Sequence, residues 1–213
     1  MIFPECFVTD KKLFRQISVV FADALGDKKI KLQVCPLDLG VAKDGRFNSL
    51  TEDFRNHLSS DAKILVGPDY RDRINYFRFK DSTEGVLSHN LRKARLSILL
   101  SEHNRRNDYG EFLNKFDTLL SAVSGVPKQI MYLIDRNLRA SRFSSLEILS
   151  STFPNLDIEP LERIKWLYNN HIEYDGVYHN PEELVDFSMD ALGFFENVIK
   201  SYVGKFPLGK NRK

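Results

Sequence analysis

Apolar residues recur along this chain at intervals of three and four, the period of a helix with one buried face. The first such stripe holds Leu13, Phe14, Ile17, Val20, Phe21, Ala24 and Leu25. Thr9 stands where an N-cap belongs, Asp10 suits the positive end of the helix, and Gly26 closes it. Residues 31–35 and 62–66 read as strands, the second stopped by Gly67 and Pro68, and 74–79 as a weaker third. Between them, 38–48 carries Gly40 and Gly45 and reads as a loop, while 49–52 resembles the capped start of a short helix through Leu58.

Beyond residue 80 helix follows helix. Residues 81–84 open a long one towards His103. Asp108 and Glu111 have capping-box spacing ahead of Phe112, Leu113, Phe116, Leu119, Leu120 and Val123, and Gly125 ends that segment. Pro127 suits the first turn of the next, with Ile130, Leu133, Ile134 and Leu138 inward. Short helices follow over 144–153, stopped by Pro154, and from Pro160 to about His171. Pro181 starts the last, where Leu184, Val185, Ala191, Leu192, Phe195, Val198, Ile199 and Tyr202 make a wide apolar face opposite Asp186, Asp190, Asn197 and Lys200. The expected fold is mainly α: an antiparallel helical bundle over 81–205, with a small β element in a mixed α/β region over 1–80 packed on it, and a flexible tail over 206–213.

Composition agrees with a self-sufficient core. Hydrophobic residues are 42% and charged residues 28% of 213, an ordinary globular balance, and 16 phenylalanines make aromatic packing its main ingredient. Cys6 and Cys35 are too few for a disulfide framework or a cysteine zinc site, and their apolar neighbours suggest buried thiols. No run approaches the ~18 apolar residues of a membrane span. The start of the chain lacks the basic and apolar stretches of a signal peptide, so cytoplasmic residence without membrane contact is expected.

A net charge of +2 points to no nucleic-acid partner by itself, but the charges are polarised. Arg92, Lys93, Arg95, Arg105 and Arg106 cluster against Glu102 alone, and Arg136, Arg139 and Arg142 recur at three-residue steps. Residues 155–190 hold nine acidic residues, among them Asp157, Glu182 and Asp190, against Arg163 and Lys165. The basic middle segment is then a phosphate-binding face for RNA or DNA, a solvated or internally docked surface, or one half of a charge-paired homodimer.

Motifs for catalysis are sparse. There is no glycine-rich phosphate loop, His-Glu-x-x-His helix or Gly-x-Ser-x-Gly elbow, and no cofactor is expected. Asp69, Asp72 and Lys80 match a metal-nuclease pattern only loosely, and the two aspartates also read as turn residues after Gly67-Pro68. His57, His89 and His103 sit at helix ends or flank the basic helix. More informative is the run from Arg163 through Lys165, Trp166, Asn169, Asn170 and His171 to His179, followed at once by the long closing helix.

Over about residues 161–203 this run resembles the HEPN superfamily, helical domains of RNA processing, toxin and antiviral systems. The resemblance implies metal-independent cleavage across a dimer. His171 would take the proton of an RNA 2′-hydroxyl to leave a cyclic phosphate, Arg163 or Lys165 would hold the phosphate, and Asn170 would orient the imidazole. Arg163, however, stands eight residues before His171, farther than the family spacing, which only Lys165 meets. A lysine is a point charge without the guanidinium fork, and family members of that kind bind or dimerise without cutting. Asn169, Asn170 and His171 equally suit a helix C-cap. The function expected is therefore a non-catalytic helical binding or assembly subunit, contacting nucleic acid or a protein partner through the basic helix. The alternative is a HEPN-like ribonuclease of a toxin or antiviral defence system.

Overall fold

A computed structural model of the chain describes residues 2–3, 7–27, 36–48, 50, 55, 58, 62–76, 82–136, 146–169 and 180–207. Within them lie eight helices: α1 Lys11–Leu25, α2 Leu39–Asp44, α3 Ser82–Leu99, α4 Ser101–Asn107, α5 Tyr109–Ile134, α6 Leu146–Thr152, α7 Glu159–Asn169 and α8 Pro181–Lys205. The fold is a mainly helical bundle, and no described helix is long and apolar enough to cross a membrane.

One hydrophobic core joins the helices to the N-terminal third. From α3 it takes Leu87, Leu91, Ala94 and Ile98, from α5 Phe116, Leu120, Val123 and Ile130, and from α8 Leu192, Phe195, Ile199 and Tyr202. Phe14 of α1 and Val41 of α2 belong to the same cluster. Full burial of one such side chain stabilises the fold by about 1.5–3 kcal/mol relative to leaving it in water.

Polar caps fix the helix ends. Asp10, rather than Thr9, caps α1 by accepting from the Leu13 N–H at 2.6 Å. Asp108 accepts from the Glu111 N–H at 2.9 Å, and Asn180 from the Glu183 N–H at 3.3 Å ahead of Pro181. The loop expected over 38–48 contains α2 instead. Asp38 accepts there from the N–H groups of Gly40 and Val41, and Gly45 ends the helix at φ 86°. Gly40 is required at its position, since a Cβ would come within 2.5 Å of the Phe7 ring.

Four further expectations change. The buried stripe of α1 is Phe14, Ser18 and Ala22, so Leu13 and Val20 face outward. The long helix towards His103 breaks at Leu100, next to Ser101, whose hydroxyl donates to the Ile98 carbonyl at 2.7 Å. Conversely, α5 runs through Gly125 and Pro127 without ending. Proline there costs a backbone hydrogen bond, about 3 kcal/mol in a free helix, and burial of Val123, Val126, Ile130 and Met131 around it outweighs that. The β element consists of different residues, a parallel pair in the register Ile2↔Leu37 and Phe3↔Asp38. Residues 62–66 and 74–76 are irregular, 31–35 and 77–79 lie outside the described residues, and the short helix expected from 49 to Leu58 falls mostly there too.

Candidate functional site

Three of the five residues of the basic middle segment pair with carboxylates of the same chain, and one of them is buried. Arg95 lies on the same side of α3 as Leu91 and is only 1% exposed. Its Nε donates to Glu196 Oε1 of α8 at 2.7 Å, and its Nη2 reaches the Phe7 carbonyl at 3.4 Å. The same carboxylate accepts from the Thr9 N–H and hydroxyl, each at 2.6 Å. Arg95 is thus a buried structural cation and not a phosphate ligand, because the helix period turns it towards the core. Sequence reasoning missed Glu196, although it sits one turn after Leu192 on the apolar face, where an acid needs a partner.

Arg105 and Arg106 share Glu102. Arg105 donates to both carboxylate oxygens at 2.9 and 2.8 Å, and Arg106 Nε to Oε1 at 2.8 Å. These hydrogen bonds, Arg105 foremost, hold the Glu102 carboxyl below the usual range against the opposing effect of burial. Arg106 also bonds Asp23 at 2.7 Å, tying α4 to α1. Of the five basic residues, Arg92 and Lys93 keep no carboxylate partner among the described residues. Arg92 lies 3.2 Å from His89 Nδ1. Partial burial, then Lys93 and Arg92, push that imidazole down. Arg136 stacks over the Tyr132 ring at 4.9 Å, and Arg139 and Arg142 lie outside the described residues.

Of the residues singled out near the last helix, Arg163 and Lys165 are among the described ones. Arg163 lies over the Phe187 ring at 4.8 Å, with Asp190 Oδ2 at 3.8 Å, and Lys165 faces solvent. Asn170 and His171 lie outside the described residues, as do His57, His179, Lys80, Cys6 and Cys35. Asp69 is gripped by Arg71, whose hydrogen bonds hold its carboxyl below the usual range. Among the described residues no three His, Cys, Asp or Glu side chains converge as a metal site would require.

Among the described residues lies a groove that the sequence did not announce. It encloses about 600 Å³ between α1, the α3–α4 break and the first turns of α8. Val19, Val20, Ile98 and Val185 form its apolar wall, and Arg15, Glu102, Arg105 and Glu182 its rim. Arg15 pairs with Asp186 of α8, and the fields of Glu102 and Glu182 both reach Arg105. At the base Ser101 gives its proton to the Ile98 carbonyl, which leaves Ser18 to donate to Ser101 Oγ at 3.2 Å. The Glu102 N–H in turn donates to Ser18 Oγ at 3.2 Å, so α1 and α4 are fixed relative to each other. The available signal was the Val19-Val20 pair, since neighbours on a helix cannot both face one core.

No family model, curated protein or solved structure matches the chain.

Proposed function

We propose that this chain is a non-catalytic helical binding subunit, and that it receives an amphipathic helix of a protein partner in the groove between α1 and α8. The observation that carries this reading is the exposure of Val20 at 64% and Val19 at 41% beside Ile98 and Val185, in a cleft of about 600 Å³. An apolar trough between helices is filled by apolar side chains at helical spacing. The rim, with Arg15 and Arg105 set against Glu102 and Glu182, suits a helix carrying charges of both signs. A nucleic acid is less favoured, because Arg105 and Arg106 already pair with Glu102 and Asp23, which partly neutralise them.

The test is selection from a display library of amphipathic helical peptides. Selected peptides are expected to bind the wild-type chain and to lose about tenfold or more in affinity to Val20→Glu, the size of one desolvated contact. Selection of no helix, or binding indifferent to Val20→Glu, contradicts the reading.

The second reading is a HEPN-like, metal-independent ribonuclease of a toxin or antiviral defence system. It is favoured by Arg163 and Lys165 on the exposed side of α7, in the turns that lead towards Asn170 and His171. Cleavage of labelled single-stranded RNA in chelator, abolished by His171→Ala, would establish it, and intact RNA removes it.

A further inference from the structure

Two hydroxyls at the base of the groove narrow the chemistry of what fills it. Ser18 of α1 and Ser101 of α4 line the same cleft as Val19, Val20, Ile98 and Val185, and both serines are buried. Each hydroxyl carries one proton, and both protons are already committed. Ser101 donates to the Ile98 carbonyl at 2.7 Å, and Ser18 donates to Ser101 Oγ at 3.2 Å. Ser18 Oγ in turn accepts from the Glu102 N–H at 3.2 Å. A hydroxyl oxygen has two acceptor sites, so each of these two keeps one acceptor site and no proton to give. Covering such an oxygen with carbon removes its water and replaces it with nothing, which weakens binding. The matching side chain therefore has an apolar body, to lie between the four aliphatic residues, and a donor at its tip.

We infer that the partner helix is anchored in the groove by a tryptophan whose indole N–H donates to the Ser18–Ser101 pair. The inference rests on the helix-in-groove reading and adds the identity of the anchor. Tryptophan joins a large apolar body to a single donor and carries no acceptor of its own. A tyrosine hydroxyl can donate as well, but neither serine has a proton left for its oxygen. A lysine brings a charge that must shed its water between Val19, Val20, Ile98 and Val185. Leucine or phenylalanine sets carbon against both serine oxygens. Buried anchors of this kind carry most of the energy of an interface, and tryptophan is enriched among them.

Helical peptides selected on the full wild-type chain, and sensitive to Val20→Glu, test this. They are expected to share a tryptophan on the apolar face. Replacing that tryptophan by benzothienylalanine, which keeps the bicyclic shape but has sulfur in place of the N–H, should weaken binding to the wild-type chain about fivefold in calorimetric titration. That comparison alters only the peptide, so it does not depend on the folding of any variant. In a Ser18→Ala/Ser101→Ala chain that keeps the wild-type helical circular dichroism, the same replacement should change affinity by less than about twofold, because the acceptors are gone. Val20-dependent peptides anchored by leucine or phenylalanine overturn the inference while leaving the groove reading intact. So does a benzothienyl peptide that binds as tightly as its parent, or one that loses as much on the double-alanine chain as on the wild type. Absence of any Val20-dependent peptide overturns both.

Discussion

Arg95 of α3 and Glu196 of α8 meet at 2.7 Å with each side chain 1% exposed. The carboxylate also holds the Thr9 N–H and hydroxyl, so one buried acid joins α3, α8 and the segment that enters α1. Removing one partner of such a pair leaves an uncompensated charge in the core. Glu196→Gln is expected to destabilise the chain by about 3–5 kcal/mol in urea unfolding, and Arg95→Met/Glu196→Met by clearly less, since no charge is then stranded. Equal losses in the single and double variants would contradict the pairing.

The Glu102 carboxyl is held low by Arg105 and Arg106, and the sign of its pH dependence follows. A carboxylate with a depressed folded pKa contributes stability that is present above its unfolded value, near 4.3, and is lost as pH falls through the folded one. Glu102→Gln should therefore lower stability at pH 7 by about 1 kcal/mol or less, the scale of a partly exposed pair. Wild type and variant should converge in denaturant titrations only once the pH has fallen through the depressed folded value, below the usual carboxylate range.

Gly40 packs its bare Cα against the Phe7 ring. Gly40→Ala is expected to cost about 1–3 kcal/mol from overpacking. A smaller residue at Phe7 should recover part of that loss, and a double-mutant cycle in thermal or chemical unfolding measures the coupling. Simple additivity would mean that the two residues do not interfere.

Arg92 and Lys93 alone of the basic cluster lack carboxylate partners among the described residues, so any contact with single-stranded RNA is expected to be weak, non-specific and confined to these two. Two phosphate contacts give a log–log salt slope of about −1.4. A slope near −3.5, the value for all five residues, would show that Arg95, Arg105 and Arg106 abandon their internal partners.

Helices were legible wherever one apolar face ran for several turns, as in α5 and α8, because packing a stripe and forming a helix demand the same spacing. The details that failed are those in which tertiary contacts override a local rule. Pro127 ends a helix only when no neighbours hold the chain on both sides of it. The strand propensity of 62–66 has no described neighbouring strand to satisfy it. Gly40 and Gly45 suggested a loop, yet one admits the Phe7 ring and the other supplies the left-handed stop of α2. The candidate site was scarcely legible. Arg95 and Glu196 show only as opposite charges at core spacing on distant helices, and the groove depends on the break at Leu100, which a continuous helical pattern conceals.

Occupation of the groove between α1 and α8 by an amphipathic helix is decided by titrating a selected helical peptide into the ¹⁵N-labelled chain and following amide shifts. Saturable changes centred on Val19, Val20, Ile98, Ser101 and Val185 are expected, with residues 62–66 unaffected. Saturable changes confined to surfaces away from the groove would contradict such occupation.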